Sequence, residues 1–474
     1  MNLRKLMSNL STALISQCVS LLLSITTSLL VPKILGIEEF GYWQLFMFYT
    51  SYVGFFHLGL NDGVYLINGG KSRSQIDKAS INSQFTVGIL YQTIFALCLV
   101  LFSILGPFSG QRQFVVCSTS AFLLLNNSAM FIGYIFQAMN ETKLYSYSVI
   151  LDKASFFIPL TLLLTFKNTD FRLYVVAYGC AKTCCLLFCL WNFKDFLTSG
   201  HKWPAAALGE TRKSIAVGIR LMLANITGFL ILGVIRFLVD FEWGISEFGK
   251  LSFAISLVNF IMTAVSQVSM VFFPALRQSD EHEQTSFFQT MRTVLALTLP
   301  LSYLAFFPLV ALLSLWLPQY QAGFRFIALL LPLTVFNGRM DLIGTTYLKV
   351  LRKENLLLVI NTVTLAFSAL GALVGSYFHS ITCMIIACVV IVIARSVFTE
   401  HLVASKLNVE GSAVDLGQIA LTVIFYVAIL LCPSLQAFLL MTFAYGGYLY
   451  IFNEEFKPAW SKIREAFLRC STRS

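Results

Sequence analysis

Apolar runs long enough to cross a lipid bilayer follow one another from residue 10 to residue 452, with only short polar breaks between them. A spanning helix takes about 20 mostly apolar residues. A chain built from such runs has no stretch left over for a water-soluble catalytic domain. Charged residues make up 12% of the 474, against about 25% in an ordinary soluble domain. That is too few to cover a water-facing surface of this size, so the apolar side chains must face lipid.

The pattern predicts an all-α polytopic membrane protein. Fourteen spans are expected, near 10–31, 41–59, 82–105, 114–137, 146–166, 172–193, 215–239, 251–274, 293–316, 324–348, 356–378, 381–403, 416–432 and 434–452. Twelve is the alternative count. The second run is aromatic and polar, and the last two are parted only by Pro433 and Ser434.

Loop charge gives the orientation. With the N-terminus inside, the cytoplasmic segments carry 21 Lys and Arg, and the outside loops carry 6 when Arg172 and Arg325 at the outer span ends are counted with them; the other 6 lie within spans. This is the positive-inside pattern, and it places both termini in the cytoplasm. The tail residues Lys457, Lys462, Arg464, Arg469 and Arg473 are suited to anionic lipid. Topology thus accounts for the excess of 33 basic over 23 acidic residues. A nucleic-acid partner is not expected, because no basic stripe lies on a foldable module. Arg4 and Lys5 precede a first run that is longer than a signal-peptide core and has no small-residue cleavage site, so it reads as a retained anchor.

The stretch Ile37, Glu39, Phe40, Gly41 recurs as Ile245, Glu247, Phe248, Gly249, an offset of 208 residues. Each copy sits in the first outside loop of a six-span block. Blocks with an even number of spans share one orientation, which implies a parallel repeat with a substrate site between the lobes. The expected organisation is a six-helix lobe at 1–193, a cytoplasmic linker at 194–214, a second six-helix lobe at 215–405, and a helix pair with a basic tail at 406–474.

Charges inside spans are costly and face a cavity or a partner. The six cations there are Lys153, Lys182, Arg220, Arg236, Arg339 and Arg395, and the expected in-span carboxylates are only Asp62, Asp152 and Asp341. Lys182, Arg339 and Arg395 lie deepest. Arg220 and Arg236 lie near span ends, where they can snorkel. A cavity lined by these cations would take an anionic ligand such as a diphosphate, with Arg as a planar fork and Lys as a point charge. Gln17, in the polar face of the first span with Ser16, Ser20, Ser24, Thr27 and Ser28, and Asn225 in the seventh are candidates to bind sugar hydroxyls. Amides such as Asn126, Asn127, Asn259 and Gln267 can equally serve as glue between helices.

Other chemistry is not expected. Most of the eleven Cys residues lie in apolar runs and fit no zinc spacing, including Cys180, Cys184, Cys185 and Cys189 on one helix. The five His residues, His57, His201, His282, His379 and His401, form no metal motif, and no nucleotide or nucleophile motif is present. Neither an enzyme nor a cofactor is expected.

The segment from Val31 to Gly70 resembles the start of the polysaccharide-transport flippases. It has an apolar-Pro-basic turn at Pro32 and Lys33, an acidic-Phe-Gly loop at Glu39, Phe40 and Gly41, and a polar cap at Gly59, Leu60, Asn61 and Asp62. Residues 219–254, with Leu223, Ala224, Asn225, Arg236, Glu247, Phe248 and Gly249, look like the start of that family's second lobe. The family belongs to a superfamily with multidrug exporters and lipid II flippases. The resemblance implies two lobes, alternating access and a bacterial inner-membrane location. It also implies undecaprenyl-diphosphate-linked repeat units of O-antigen or capsule as substrate, membrane lipids around the chain, and other polysaccharide-assembly membrane proteins as partners. Arg236 is the one in-span cation carried over by the resemblance. The rivals are a multidrug cation exporter or lipid II flippase of the same superfamily, a membrane polysaccharide polymerase, and a non-transporting scaffold.

Overall fold

The computed structural model describes residues 20–108, 110–278, 280–409 and 414–457. Among these, every regular element is a helix. In chain order they are α1 Val31–Thr50, α2 Leu60–Asn68, α3 Lys78–Leu105, α4 Gly110–Ala138, α5 Thr142–Thr165, α6 Phe171–Leu197, α7 Pro204–Gln278, α8 Glu281–Thr298, α9 Leu301–Trp316, α10 Phe324–Leu330, α11 Pro332–Arg339, α12 Thr346–Val350, α13 Glu354–Tyr377, α14 Ile381–Lys406, α15 Val414–Leu431 and α16 Ser434–Ile451. Short 3-10 and π turns join several of them. Side-chain oxygens close the starts of four helices by accepting backbone N–H groups: Asp77 on α3, Asp170 on α6, Asp280 on α8 and Ser380 on α14. Such caps satisfy donors that a helix leaves open.

Eleven helical stretches among the described residues are long and apolar enough to cross a membrane. Two of them are divided by a single glycine, Gly36 in α1 and Gly244 in α7. Counting each half, and adding the apolar α16, gives the fourteen segments expected. The protein is a multi-pass membrane protein.

Two local expectations are corrected. The stretch after residue 59, read as a connection, begins with the helix α2. The loops expected outside at 32–40 and 240–250 shrink to the glycine breaks, so α7 runs from Pro204 through what was read as linker and loop. The reason is conformational. Gly36 sits at φ 74° and ψ −178°, and Gly244 at φ 79° and ψ −175°. That region is open essentially to glycine alone, so one residue turns the chain where several would otherwise be needed.

The chain forms two compact units, Met1–Gly233 with Trp243–Ser252, and Val234–Glu242 with Phe253–Ser474. The core of the first packs Leu60 and Val64 of α2 against Phe85 of α3, Phe131 and Ile135 of α4, and Cys189 and Phe193 of α6. Trp43, Phe122, Phe156 and Tyr178 form an aromatic group, with Phe122 stacked on Tyr178 at 5.2 Å and Phe156 edge-on to Tyr178 at 5.0 Å. Such pairs add about 0.5–1.5 kcal/mol each beyond area burial. The second unit is built around Phe288, Ile343, Tyr347, Leu357 and Val403.

Within the first unit, α2 crosses the start of α7 at backbone distance. A Cβ placed on Gly63 would lie 1.8 Å from the Ser214 carbonyl oxygen, and one on Gly218 would lie 2.1 Å from that of Gly59. Only glycine permits this approach, as at other small-residue crossings in membranes.

Candidate functional site

In the first unit, α5 and α6 bring two lysines to one carboxylate. Lys182 Nζ lies 3.0 Å from Asp152 Oδ1, and Lys153 Nζ lies 3.7 Å from Asp152 Oδ2. Lys182 and Asp152 are mostly buried, at 11% and 12% side-chain exposure. The ammonium of Lys182 also stands 5.8 Å from the Phe122 ring centre. Two ammonium groups sharing one carboxylate leave a surplus positive charge among apolar helices, and an anion is the ligand that would offset it.

The second unit treats its deepest arginine differently. Arg339, 1% exposed at the end of α11, donates through Nε to Glu400 at 2.9 Å and through its other nitrogens to Glu400, Asp415 and Gln418. Arg292 of α8 meets the same acids, Glu400 at 2.7 Å and Asp415 at 3.2 Å. Half-exposed His401 stands 3.5 Å from Asp415. Two guanidinium groups face two carboxylates, so this quartet is balanced without a ligand. The expectation that in-span carboxylates were confined to Asp62, Asp152 and Asp341 is corrected: Glu400 falls inside the span read at 381–403, and Asp415 at the edge of the next.

Arg395 of α14 approaches the same helix, α11, but has amides for partners. Its Nη2 donates to Asn337 Oδ1 at 3.1 Å and its Nη1 to Asn361 Oδ1 at 3.4 Å, while Nε has no hydrogen-bond partner. Amide oxygens orient the guanidinium, and the Asp341 carboxylate stands in electrostatic range of it.

The other expected residues are dispersed. Arg220 and Asn225 lie exposed on α7 in the first unit, and Arg236 lies half-buried in the second. Gln17 falls outside the described residues. Two amides tie segments together: Asn127 donates to the Val53 carbonyl at 2.9 Å and Asn61 donates to the Asn127 carbonyl at 3.1 Å, whereas Thr227 donates within its own helix to the Leu223 carbonyl at 2.8 Å.

Sequence reading missed Arg292, Glu400 and Asp415 as a set, because their partnership comes from segments 123 and 76 residues apart. It also set His57 aside for lack of a metal motif. His57 is buried, with Nε2 3.8 Å from Asp62 Oδ2. The available signal was a His and an Asp flanking Gly59 in a polar interruption of an apolar run.

This architecture has known counterparts. The lipid II flippase MurJ in an inward closed conformation aligns over 93% of this chain and 99% of its own, with TM-score 0.58 and 10% identity. An inward-facing multidrug resistance MATE family transporter of the MOP superfamily aligns over 83% and 98%, with TM-score 0.55 and 11% identity. A MATE transporter from Vibrio cholerae aligns over 87% and 98%, with TM-score 0.52 and 13% identity. At these identities the likeness is one of fold. No curated protein matches the chain in sequence. The family described as polysaccharide biosynthesis protein matches residues 6–280. That match covers more than half of the 474 residues, and the chain belongs to the polysaccharide biosynthesis protein family.

Proposed function

We propose that the protein is a flippase that moves a polyprenyl-diphosphate-linked oligosaccharide, a repeat unit of O-antigen or capsule, across the bacterial inner membrane. The observation that carries this reading is the pair Lys153 and Lys182 sharing the single carboxylate of Asp152. The surplus charge is suited to a diphosphate passing through the helices, with the lysines as point charges. Arg395, hydrogen-bonded by two amides with Asp341 in electrostatic range, is the corresponding candidate in the second unit. Arg339 has its charge matched by Glu400 and Asp415, so its part in this reading is to position α11. Arg220, Arg236, Gln17 and Asn225 remain candidates to meet the saccharide or the lipid headgroups.

The polyprenyl tail stays in lipid while the saccharide and diphosphate cross, with both termini in the cytoplasm and the lobes alternating in access. Family membership and the fold shared with a lipid II flippase support this reading. A multidrug exporter has the same fold, but a cationic cargo calls for surplus carboxylate where the lysine pair supplies surplus ammonium. A polymerase would need reactive groups on a substantial outer loop, and two of the loops expected outside are reduced to single-glycine turns.

The test is deletion of the gene, followed by location of the lipid-linked repeat units. The reading requires them to accumulate at the cytoplasmic face. Units that reach the outer face normally but remain unpolymerised would sink it and favour the polymerase.

A further inference from the structure

The second apolar run is interrupted in the first unit. After α1, a 3-10 turn runs Val53–His57, Leu58 and Gly59 take left-handed conformations at φ 52° and φ 86°, and α2 starts at Leu60. A broken helix leaves backbone groups that must be satisfied within the protein. Side chains do so here. Tyr91 of α3 donates to the His57 carbonyl at 2.9 Å, Asn127 of α4 donates to that of Val53, and His57 Nδ1 accepts the Gly59 N–H at 3.0 Å.

That last bond fixes the tautomer. With Nδ1 accepting, the imidazole proton sits on Nε2, which faces Asp62 Oδ2 at 3.8 Å. Asp62 is 4% exposed, and among the described residues His57 is the only basic group within ion-pair distance of it. A buried carboxylate with no cation is expensive in its charged form. A further proton arriving here goes to Asp62, because Nδ1 is already committed. Neighbouring Asn61, 1% exposed, keeps a buried Oδ1 without a hydrogen-bond partner, a spare acceptor beside the pair.

The other titratable groups facing this place are phenols. Tyr134 of α4 lies in electrostatic range of Asp62 and, in turn, of Tyr145 of α5 and Tyr65 of α2, whose ring is 5.7 Å from its own, and the Tyr91 hydroxyl of α3 reaches the His57 carbonyl. Across the crossing with α7, Arg212, Lys213 and Arg220 are exposed. Asp62 adjoins Gly63, whose backbone touches Ser214 at that crossing.

We propose that His57 and Asp62 form a proton-binding pair, and that the proton they take up and release is the coupling ion of transport. Uptake converts the Asp62 carboxylate to the neutral acid; release restores the charge, and no bond other than O–H is made or broken. Intramembrane ionisable groups at a helix interruption are where transporters hold coupling ions. The coupling half rests on the flippase reading; the binding half does not.

Two measurements test it. Infrared difference spectra between high and low pH, taken on the full-length protein in lipid nanodiscs, should show a protonated-carboxyl band that appears on acidification and shifts in deuterium oxide. The band should be lost in Asp62→Asn, kept in Asp152→Asn and Asp341→Asn, moved in frequency but present in Asp62→Glu, and displaced in pH midpoint in His57→Gln. An unchanged band in folded Asp62→Asn overturns the site, as does a midpoint that follows sodium concentration at fixed ionic strength. In proteoliposomes carrying a lipid-linked saccharide, an imposed pH gradient should change the wild-type rate and leave the Asp62→Asn rate unmoved. A wild-type rate indifferent to the gradient overturns the coupling while the flippase reading stands. A pH-dependent band with no transport at all overturns the flippase reading while the proton site stands.

Discussion

Gly36 and Gly244 lie 208 residues apart and hold the same backbone conformation, φ 74° and ψ −178° in one and φ 79° and ψ −175° in the other. The near-contacts around them mirror each other at that offset. A Cβ on Gly41 would lie 2.6 Å from the Ile245 carbonyl oxygen, and a Cβ on Gly249 would lie 2.8 Å from that of Ile37. The internal repeat is therefore written in backbone geometry as well as in residue identity.

Replacing either turning glycine with alanine carries a conformational cost. Nothing lies within 4 Å of a Cβ at Gly36 or Gly244, so the cost is backbone strain alone. It should be about 1–3 kcal/mol for each of Gly36→Ala and Gly244→Ala. Thermal unfolding of the purified variants should show both less stable than wild type by similar amounts; an unchanged transition would contradict the assigned conformation.

The crossing of α2 and α7 gives a contrast between glycines. Gly63→Ala would drive a methyl group to 1.8 Å from the Ser214 oxygen, so the helices must part and both stability and transport should fall. Gly209→Ala, in the same helix α7 but with open space around it, should be neutral or stabilising by up to about 1 kcal/mol, since alanine is the better helix former. Side-by-side melting curves check this, and equal loss in both would show that packing at the crossing is not the cause.

Much of this was legible in one dimension. Apolar run length located the spans, and Ile37, Glu39, Phe40 and Gly41 with their second copy located the two equivalent turns. The helix α2 was not legible, because Asn61, Asp62, Gly63 and Asn68 have the composition of a turn; their burial against α4 and α7 makes them helical. Lys182 was singled out as a deep cation; its side chain is mostly buried, and its sharing of Asp152 with Lys153 depends on how α5 and α6 pack. Arg339 was singled out for the same reason, and its role differs because Glu400 and Asp415 reach it from two other helices. Pairing is a tertiary property, and the charge of a span taken alone does not reveal it.

The quartet of Arg292, Arg339, Glu400 and Asp415 predicts a specific non-additivity. Arg339→Met strands a surplus of buried negative charge and should cost about 3–5 kcal/mol. Adding Glu400→Leu restores the balance, so the double variant should be more stable than the sum of the two single losses. A double-mutant cycle on unfolding free energy measures the coupling. Additive losses would remove the quartet as a unit.

On the side expected to be cytoplasmic, Lys202 binds Asp77 at 2.7 Å and Glu210 at 2.6 Å. The Lys202 ammonium, and then the Ser80 N–H, hold the Asp77 carboxyl below its ordinary range. A depressed folded value means stability that is present above the unfolded value, about 3.9, and lost as pH falls through the folded value. Asp77 is 58% exposed, so the effect should be no more than about 1 kcal/mol. Melting followed from pH 7 downward, at about pH 5 and about pH 3, should fall less steeply in Lys202→Ala than in wild type, starting from a lower value. Parallel curves would contradict the pairing.

The central claim is transport of an anionic lipid-linked saccharide past the lysine pair. The most direct measurement places purified protein in vesicles holding a polyprenyl-diphosphate saccharide labelled with a fluorophore on its sugar, and adds a membrane-impermeant quencher. Wild-type protein should render the inner-leaflet label quenchable, and the double variant Lys153→Ala, Lys182→Ala, folded and incorporated at wild-type level, should slow this at least tenfold. Inner-leaflet label that stays as protected with wild-type protein as in protein-free vesicles would contradict the account.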